Sequence, residues 1–275
     1  MTDIHTKFDL TGRAALVTGG AGLLGKEFCR TLVEAGAQVA VADINGEAAG
    51  CVADSLNAAA SKQAATGVQV DVTDPESVRR MFASAVKAFG RLDVLVNSAA
   101  LDPKFDPEHS GAHTNSFEAY PLESWNQALN VNLTGMFLCC QAAVRPMLDQ
   151  GKGAIVNICS TYGLVGPDQR IYQRDGKQVQ YKPVYYSVTK AGVLGLTRYL
   201  ATYYAGTEIR ANALTPGGVY NHHDEVFLKA YSARTVIGRM AHGDEMNGAL
   251  LFLASDASSY MTGSNLVVDG GWTAW

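Results

Sequence analysis

The run Tyr186-Ser187-Val188-Thr189-Lys190 sets a phenol and an ammonium four residues apart, which is one face of a helix. A phenol titrating near ~10 is a poor base at neutral pH, and a neighbouring lysine cation lowers that value by stabilising the phenolate. Such a pair can take a proton from an alcohol while hydride leaves for a nicotinamide, or return it in the reverse direction. Tyr185 is the rival phenol, but only Tyr186 has a lysine four residues on, so Tyr185 reads as structural. Ser160 carries a hydroxyl suited to a substrate oxygen. Asn132, in Asn130-Val131-Asn132-Leu133-Thr134-Gly135, falls inside a long helical pattern where asparagine is mildly unfavourable. A buried polar role, such as holding a water near Lys190, accounts for it.

A second chemistry stands near the N-terminus. Thr18-Gly19-Gly20-Ala21-Gly22-Leu23-Leu24-Gly25 follows an apolar run and precedes a helical pattern. Glycines in that setting let the backbone turn tightly and approach a pyrophosphate at the helix N-terminus. Asp43 lies eighteen residues past Gly25, near the ~20-residue spacing of an acid that binds ribose hydroxyls. Its carboxylate would repel a 2′-phosphate, and no Arg or Lys between Gly19 and Gly25 welcomes one. NAD is therefore expected over NADP. Asp71 reads either as a contact to adenine or as a turn-capping residue.

These groups need elements to hold them. Strands are expected at Ala14–Thr18, Gln38–Asp43, Gly67–Val72, Leu92–Asn97, Gly153–Ile158, Arg210–Leu214 and Asn265–Asp269. Helices are expected from about Gly22 to Ala35, from the Asp74-Pro75 cap, from Ser124 to Gln150 and from Val184 to Tyr204. The alternation predicts an α/β fold: a doubly wound Rossmann fold with about seven parallel strands and helices on both faces. With no linker or repeat, residues 1–275 are expected to form one domain. Residues 101–123 and 167–182 break the rhythm, and loops of that length are functional or mobile, with a surface elaboration or a subunit contact as the alternative.

Together these residues resemble the short-chain dehydrogenase/reductases over nearly the whole chain, from about Leu10 to Gly271. The matching motifs are the Thr18–Gly25 turn, Asp71, Asn97-Ser98-Ala99-Ala100, Asn132, Ser160, Tyr186 with Lys190, Pro216-Gly217 and Val268-Asp269-Gly270-Gly271. The resemblance implies a tetrad of Asn132, Ser160, Tyr186 and Lys190, with Tyr186 as acid/base, Ser160 orienting substrate, Lys190 on the nicotinamide ribose and Asn132 holding a relay water. It implies dinucleotide contacts at Gly19, Ala21, Gly22, Leu23, Leu24, Gly25, Asp43, Ile44, Asp71, Val72, Asn97, Ser98, Ala99, Tyr186, Lys190, Pro216, Gly217 and Val219. Departures are Leu23 in place of the family's middle glycine, Ala100 in place of the last glycine of N-N-A-G, and Asn221 where a Thr often stands. Ser160 and Tyr186 are 26 residues apart, about twice the family's usual separation, because of the insertion at 167–182. That insertion looks like those of sugar-pathway members. A homotetramer or homodimer packed through the two long helices is also implied, with Met136, Phe137, Leu138 and Leu196 as permissive apolar residues.

The elaborations hold Asp102, Lys104, Asp106, Glu108, His109 and His113, then Asp168, Gln169, Arg170, Tyr172, Arg174 and Lys177. Such groups suit a sugar or another polyhydroxylated or anionic substrate better than an acyl chain or steroid. Candidate substrate contacts are Asp102, Ser160, Tyr162, Arg170, Tyr172, Tyr186 and His222. Adjacent His222 and His223 make a poor chelate, and no metal site is expected. The net charge of −4 gives no reason for a nucleic acid or membrane partner. The five scattered cysteines read as reduced thiols in a cytoplasmic protein. The expected activity is NAD-dependent interconversion of a secondary alcohol and a ketone, or of a lactol and a lactone. The alternatives are a 3-oxoacyl thioester reductase and a catalytically silent NAD-binding regulator.

Overall fold

The computed structural model describes residues 3–102 and 115–275; Lys104, Asp106, Glu108, His109 and His113 lie outside them. After a short helix α1 (Ile4–Phe8), the chain runs β1 (Ala14–Thr18), α2 (Leu23–Glu34), β2 (Gln38–Asp43), α3 (Gly46–Ala60), β3 (Ala65–Gln69), α4 (Pro75–Phe89) and β4 (Val94–Asn97). It continues through α5 (Leu122–Leu129), α6 (Met136–Gln150), β5 (Lys152–Ile158), β6 (Gln173–Arg174), β7 (Lys177–Gln178), α7 (Val184–Tyr203) and β8 (Glu208–Pro216). Two helices, α8 (Glu225–Ser232) and α9 (Asn247–Ala254), precede the last strand, β9 (Asn265–Val268).

Seven strands pair in the order β3-β2-β1-β4-β5-β8-β9, all parallel. A parallel sheet has both faces covered by its crossover helices, so its strands are apolar almost throughout. Strand β1 accordingly has all five residues buried. Alternate side chains then enter different cores. Ala15, Val17, Val39 and Val41 join Phe28 and Leu32 of α2, Leu56 of α3 and Leu253 of α9. Leu16, Ala40 and Leu95 join Met81 and Phe82 of α4, Met147 of α6 and Val193 of α7. The fold is the doubly wound Rossmann arrangement that the alternation predicts.

Some boundaries differ from expectation. Strand β3 ends at Gln69 rather than Val72, because Val70 leaves the ladder with a last bond to Asp43 O (2.8 Å) and the chain then turns at Asp71. The long helix expected from Ser124 is continuous in direction, but Asn130–Gly135 is wound as a π-helix between α5 and α6. The segment 167–182 is not structureless: β6 and β7 form a small antiparallel hairpin across Asp175 (φ 51°) and Gly176 (φ 74°), the Asp-Gly chemistry of a tight turn.

All five cysteines are free thiols; four are buried and Cys51 is exposed. Burial pushes the Cys29 and Cys139 thiols far up and Cys140 to about 12, so these three are inert packing groups. Among the described residues no helix is long and apolar enough to cross a membrane.

Candidate active site

In the sheet order, the chain leaves β1 toward β2 on one side and re-enters through β4 on the other. The carboxyl ends of strands diverge at such a switch point and leave a crevice. A cavity of about 960 Å³ opens there. Its walls come from the segments that follow β1, β2, β3, β4, β5 and β8, together with α7.

One end of the cavity is backbone. Gly19 has φ 64° and its Cα sits so close to the segment after β4 that a Cβ would stand 2.8 Å from Ala99 Cα. Gly22 caps α2 with no side-chain hydrogen bond to the helix N-terminus, so the first amide groups of α2 remain for an anion. Leu23, in the family's middle-glycine position, opens α2 and lines the cavity without displacing this turn. The Thr18 hydroxyl accepts from Ser98 N (3.2 Å) and Ala99 N (3.3 Å), stitching β1 to β4 at the crevice. Asp43 accepts from Ala21 N (3.1 Å) and Asn45 N (3.1 Å) and presents its carboxylate to the cavity. An uncapped helix end, a crowded glycine turn and a carboxylate on the next strand fit a dinucleotide.

The other end holds reactive side chains. Residue 160 follows β5 and opens a 3₁₀ turn, Thr161–Gly163, with Ser160 Oγ accepting from Tyr162 N (3.3 Å). Helix α7 places Tyr186 and Lys190 one turn apart on the cavity side. Lys190 is 4% exposed, and its Nζ donates to Ile158 O (2.9 Å) and stands 5.7 Å from the Tyr186 ring centre. Burial pushes the Tyr186 phenol well above its ordinary value; the Asp102 charge adds to that, and hydrogen bonding with Ser160 opposes it. Burial also lowers the Lys190 ammonium. Desolvation therefore dominates the shift of the phenol.

Of the dinucleotide contacts named from sequence, Gly19, Gly22, Leu23, Leu24, Gly25, Asp43, Ile44, Asp71, Val72, Ser98, Ala99, Tyr186, Lys190, Pro216, Gly217 and Val219 line the cavity. Ala21 and Asn97 do not. The Ala21 amide is spent on Asp43. Asn97 is buried in the sheet, where Nδ2 donates to Asn157 Oδ1 (2.9 Å) and Cys140 Sγ (3.2 Å). Asp71 faces the cavity and caps a turn, with Oδ1 accepting from Thr73 N (2.8 Å) and Thr73 Oγ1 (2.7 Å). Asn132 is also recast. Its Oδ1 accepts from Leu101 N (2.7 Å), and its Nδ2 donates to Leu101 O and Thr189 Oγ1 (both 3.2 Å). The amide therefore clamps the base of the first elaboration to α7.

Among substrate candidates, Asp102, Ser160, Tyr162, Tyr172 and Tyr186 line the cavity. Arg170 is exposed and bonded to Asp168. His222 is exposed in a left-handed turn (φ 55°), and its neighbour His223 reaches the cavity instead. Asp168 also pairs with Arg234, and Arg174 pairs with Asp224 (2.6 Å), so the second elaboration is fastened to the α8 region. Tyr185 is buried against Tyr120, away from the cavity.

Sequence reasoning named Tyr162 and Tyr172 but missed two features. Phe227 and Tyr231 join those two tyrosines in an aromatic wall, with Phe227 5.5 Å from Tyr172 and 5.8 Å from Tyr231. Lys182 also lines the cavity, 4.0 Å over the Tyr186 ring centre and ion-paired with Asp102. Its position four residues before Tyr186 mirrors that of Lys190 after it.

A family model described as enoyl-(acyl carrier protein) reductase matches residues 20–273. The chain is 35% identical over 274 residues to a D-threitol dehydrogenase of Mycolicibacterium smegmatis, covering 97% of this chain and 95% of that one. It is 37% identical over 270 residues to a cis-4-hydroxycyclohexanecarboxylate dehydrogenase of Sinomonas cyclohexanicum, with 95% and 97% covered. A gluconate 5-dehydrogenase from Burkholderia cenocepacia, solved with NADP and tartrate, superposes with a TM-score of 0.86 at 31% identity, covering 99% and 100%. Fold, cavity and these likenesses agree, and the chain belongs to the short-chain dehydrogenase/reductase family.

Proposed function

We propose that the protein is an NAD-dependent dehydrogenase interconverting a secondary alcohol and its ketone, or a lactol and its lactone, on a sugar or sugar-derived substrate. The observation that carries this is Ser160, Tyr186 and Lys190 converging in one cavity with a dinucleotide-shaped backbone cradle at its far end. The relatives support oxidoreduction at a CH–OH group, since D-threitol and cis-4-hydroxycyclohexanecarboxylate both carry such a group. Asp43 supports NAD, because a second anion against its carboxylate is repelled.

A nicotinamide dinucleotide bound in the cradle supplies the acceptor for the hydride equivalent lost from carbon. Ser160 Oγ hydrogen-bonds the substrate oxygen and fixes the CH–OH group. Tyr186 Oη, as phenolate, takes the hydroxyl proton and returns it in the reverse direction. Lys190 is held by Ile158 O (2.9 Å), and its remaining donors serve the ribose hydroxyls and the phenolate. Asn132 positions Leu101 and Thr189 through its side chain. The thiol chemistry supports a cytoplasmic setting. A homotetramer or homodimer through α6 and α7 is supported by the exposed Phe137 and Val188; Met136 is core, and Leu138 and Leu196 pack against it.

The aromatic wall favours a second reading of the substrate alone: a hydroxylated carbocycle, whose ring can lie on Tyr162, Tyr172 and Phe227. Initial rates with NAD⁺ and NADP⁺ over sugars, sugar acids, cyclic alcohols and 3-hydroxyacyl compounds test both. We expect turnover with NAD⁺ that Tyr186→Phe lowers by about a hundredfold or more while dinucleotide binding persists. Turnover surviving in Tyr186→Phe would overturn the mechanism. Turnover confined to acyl compounds with NADP⁺ would overturn the cofactor and substrate, and binding without turnover of any compound would leave a regulator.

A further inference from the structure

Lys182 and Asp102 have no part in the reaction as written above, yet they stand beside its centre. Lys182 leaves the chain just before Pro183, the N-cap of α7, and its side chain is 13% exposed. Its Nζ lies 4.0 Å over the Tyr186 ring centre. Asp102, from the opposite elaboration and about half exposed, pairs with it through Oδ1. Both line the cavity with Ser160 and Tyr186. An ammonium has three donor hydrogens and a carboxylate has two acceptor oxygens, so one ion pair leaves donors on Lys182 and acceptors on Asp102. Tyr162, Tyr172 and Phe227 also line this cavity, and the ion pair sets a full positive and a full negative charge beside the Tyr186 ring.

We infer that Lys182 and Asp102 together bind a second hydroxyl of the substrate, on the carbon adjacent to the one oxidised, and so select vicinal diols and polyols over monoalcohols. A hydroxyl both accepts and donates, so it can accept from the Lys182 ammonium while donating to the Asp102 carboxylate. A methylene in that place desolvates the pair and returns no hydrogen bond. A carboxylate there meets the charge of Asp102, and an ether or ketone can accept but not donate. The selection is independent of skeleton, since an open-chain polyol and a ring diol present the same pair of oxygens. The inference rests on the alcohol dehydrogenase reading.

The test uses matched pairs differing by one hydroxyl: trans-cyclohexane-1,2-diol with cyclohexanol, and butane-2,3-diol with butan-2-ol. Diol-to-monoalcohol kcat/KM ratios with NAD⁺ are compared in the native protein, Lys182→Met, Asp102→Asn and Lys182→Arg. We expect the native protein to prefer the diol of at least one pair by about tenfold or more. Lys182→Met and Asp102→Asn should each lower that ratio by about tenfold, with partial recovery in Lys182→Arg, which keeps a cationic donor. Asp102→Asn preserves shape, so the ratio is readable even if Lys182→Met does not fold. A ratio that stays constant while both rates fall together makes the ion pair a strut between the elaborations and overturns the inference. So does native oxidation of neither diol. Monoalcohol turnover with an unchanged ratio sinks this inference alone, whereas silence on every alcohol removes the dehydrogenase reading and the inference with it.

Discussion

The charges around Tyr186 decide the pH at which it can act as a base. Burial holds the phenol well above its ordinary value, the Asp102 carboxylate raises it further, and Ser160 pulls it back. Alcohol oxidation needs the phenolate, so its kcat/KM climbs with pH through the apparent pKa of Tyr186; ketone reduction needs the neutral phenol and falls over the same range. Asp102→Asn removes a negative charge, favours the phenolate and should move the rising limb to lower pH. A limb that stays put, or moves up, would show that Asp102 does not act on this phenol. At the other end of the cavity, Asp43→Asn keeps an oxygen for the Ala21 amide but loses the charge that meets a 2′-phosphate. The kcat/KM for NADP⁺ relative to NAD⁺ should rise about tenfold or more, roughly 1.4 kcal/mol per decade, and an unchanged ratio removes Asp43 as the discriminator. Tyr186, Lys190 and Ser160 are legible as candidates because they fall in order among many matching motifs; a phenol four residues before a lysine is common by itself. Lys182 is not: it stands outside the helix, ahead of Pro183, where helical spacing carries no information. His222 and His223 are indistinguishable in sequence, and only the left-handed turn at His222 decides which one faces the cavity.

Elements set the distance between these residues. The 3₁₀ turn Thr161–Gly163 packs on α7, and there is no room between them: a Cβ on Gly163 would stand 2.7 Å from Lys190 C and O and 2.8 Å from Cys159 Sγ. Backbone atoms cannot rotate away, so Gly163→Ala must push α7 from the segment that carries Ser160. We expect a loss of about 1–3 kcal/mol in denaturant unfolding, together with a fall in kcat from the displaced Tyr186. Gly195, exposed on the same helix, has nothing within 4 Å of an added Cβ, and Gly195→Ala should stabilise by about 0.5–1 kcal/mol. Equal effects at the two sites would mean that Gly163 is no contact point. The five inner strands are legible because burial on both faces leaves apolar runs bounded by turn residues. Helix α9 is not, because Asn247-Gly248-Ala249-Leu250-Leu251-Phe252-Leu253-Ala254 is apolar all round and shows no helical stripe. Helix α8 carries its own start signal in Asp224, which accepts from Phe227 N (3.0 Å); beside two histidines it reads as one more polar loop residue. The π-helical stretch at Asn130–Gly135 leaves no compositional mark.

Across the whole molecule the two ends of the sheet have different tasks. The carboxyl ends open into the cavity, while the amino ends close on ion pairs that join distant parts of the chain. Arg13, just before β1, bonds Asp256 through NH1 (3.2 Å) and NH2 (2.5 Å), and Lys152, opening β5, adds Nζ at 2.8 Å. Asp256 follows α9, so its carboxylate fastens the C-terminal quarter to the first and fifth strands. These hydrogen bonds hold its pKa at about 2, below the 3.8 of an ordinary aspartate. A carboxyl depressed on folding contributes stability that is present above its unfolded pKa and fades as pH falls through its folded one. The side chain is 33% exposed, and solvent screening reduces the contribution to about 1 kcal/mol. Asp256→Asn should therefore destabilise by about that amount at pH 7, less in high salt, with the gap to the native protein closing between about pH 4 and pH 2. Urea unfolding at pH 7, 4 and 2 reads this directly. A gap that persists unchanged to pH 2 would mean that Asp256 acts there by packing or neutral hydrogen bonds, and that its charge does not hold the amino ends of the sheet together.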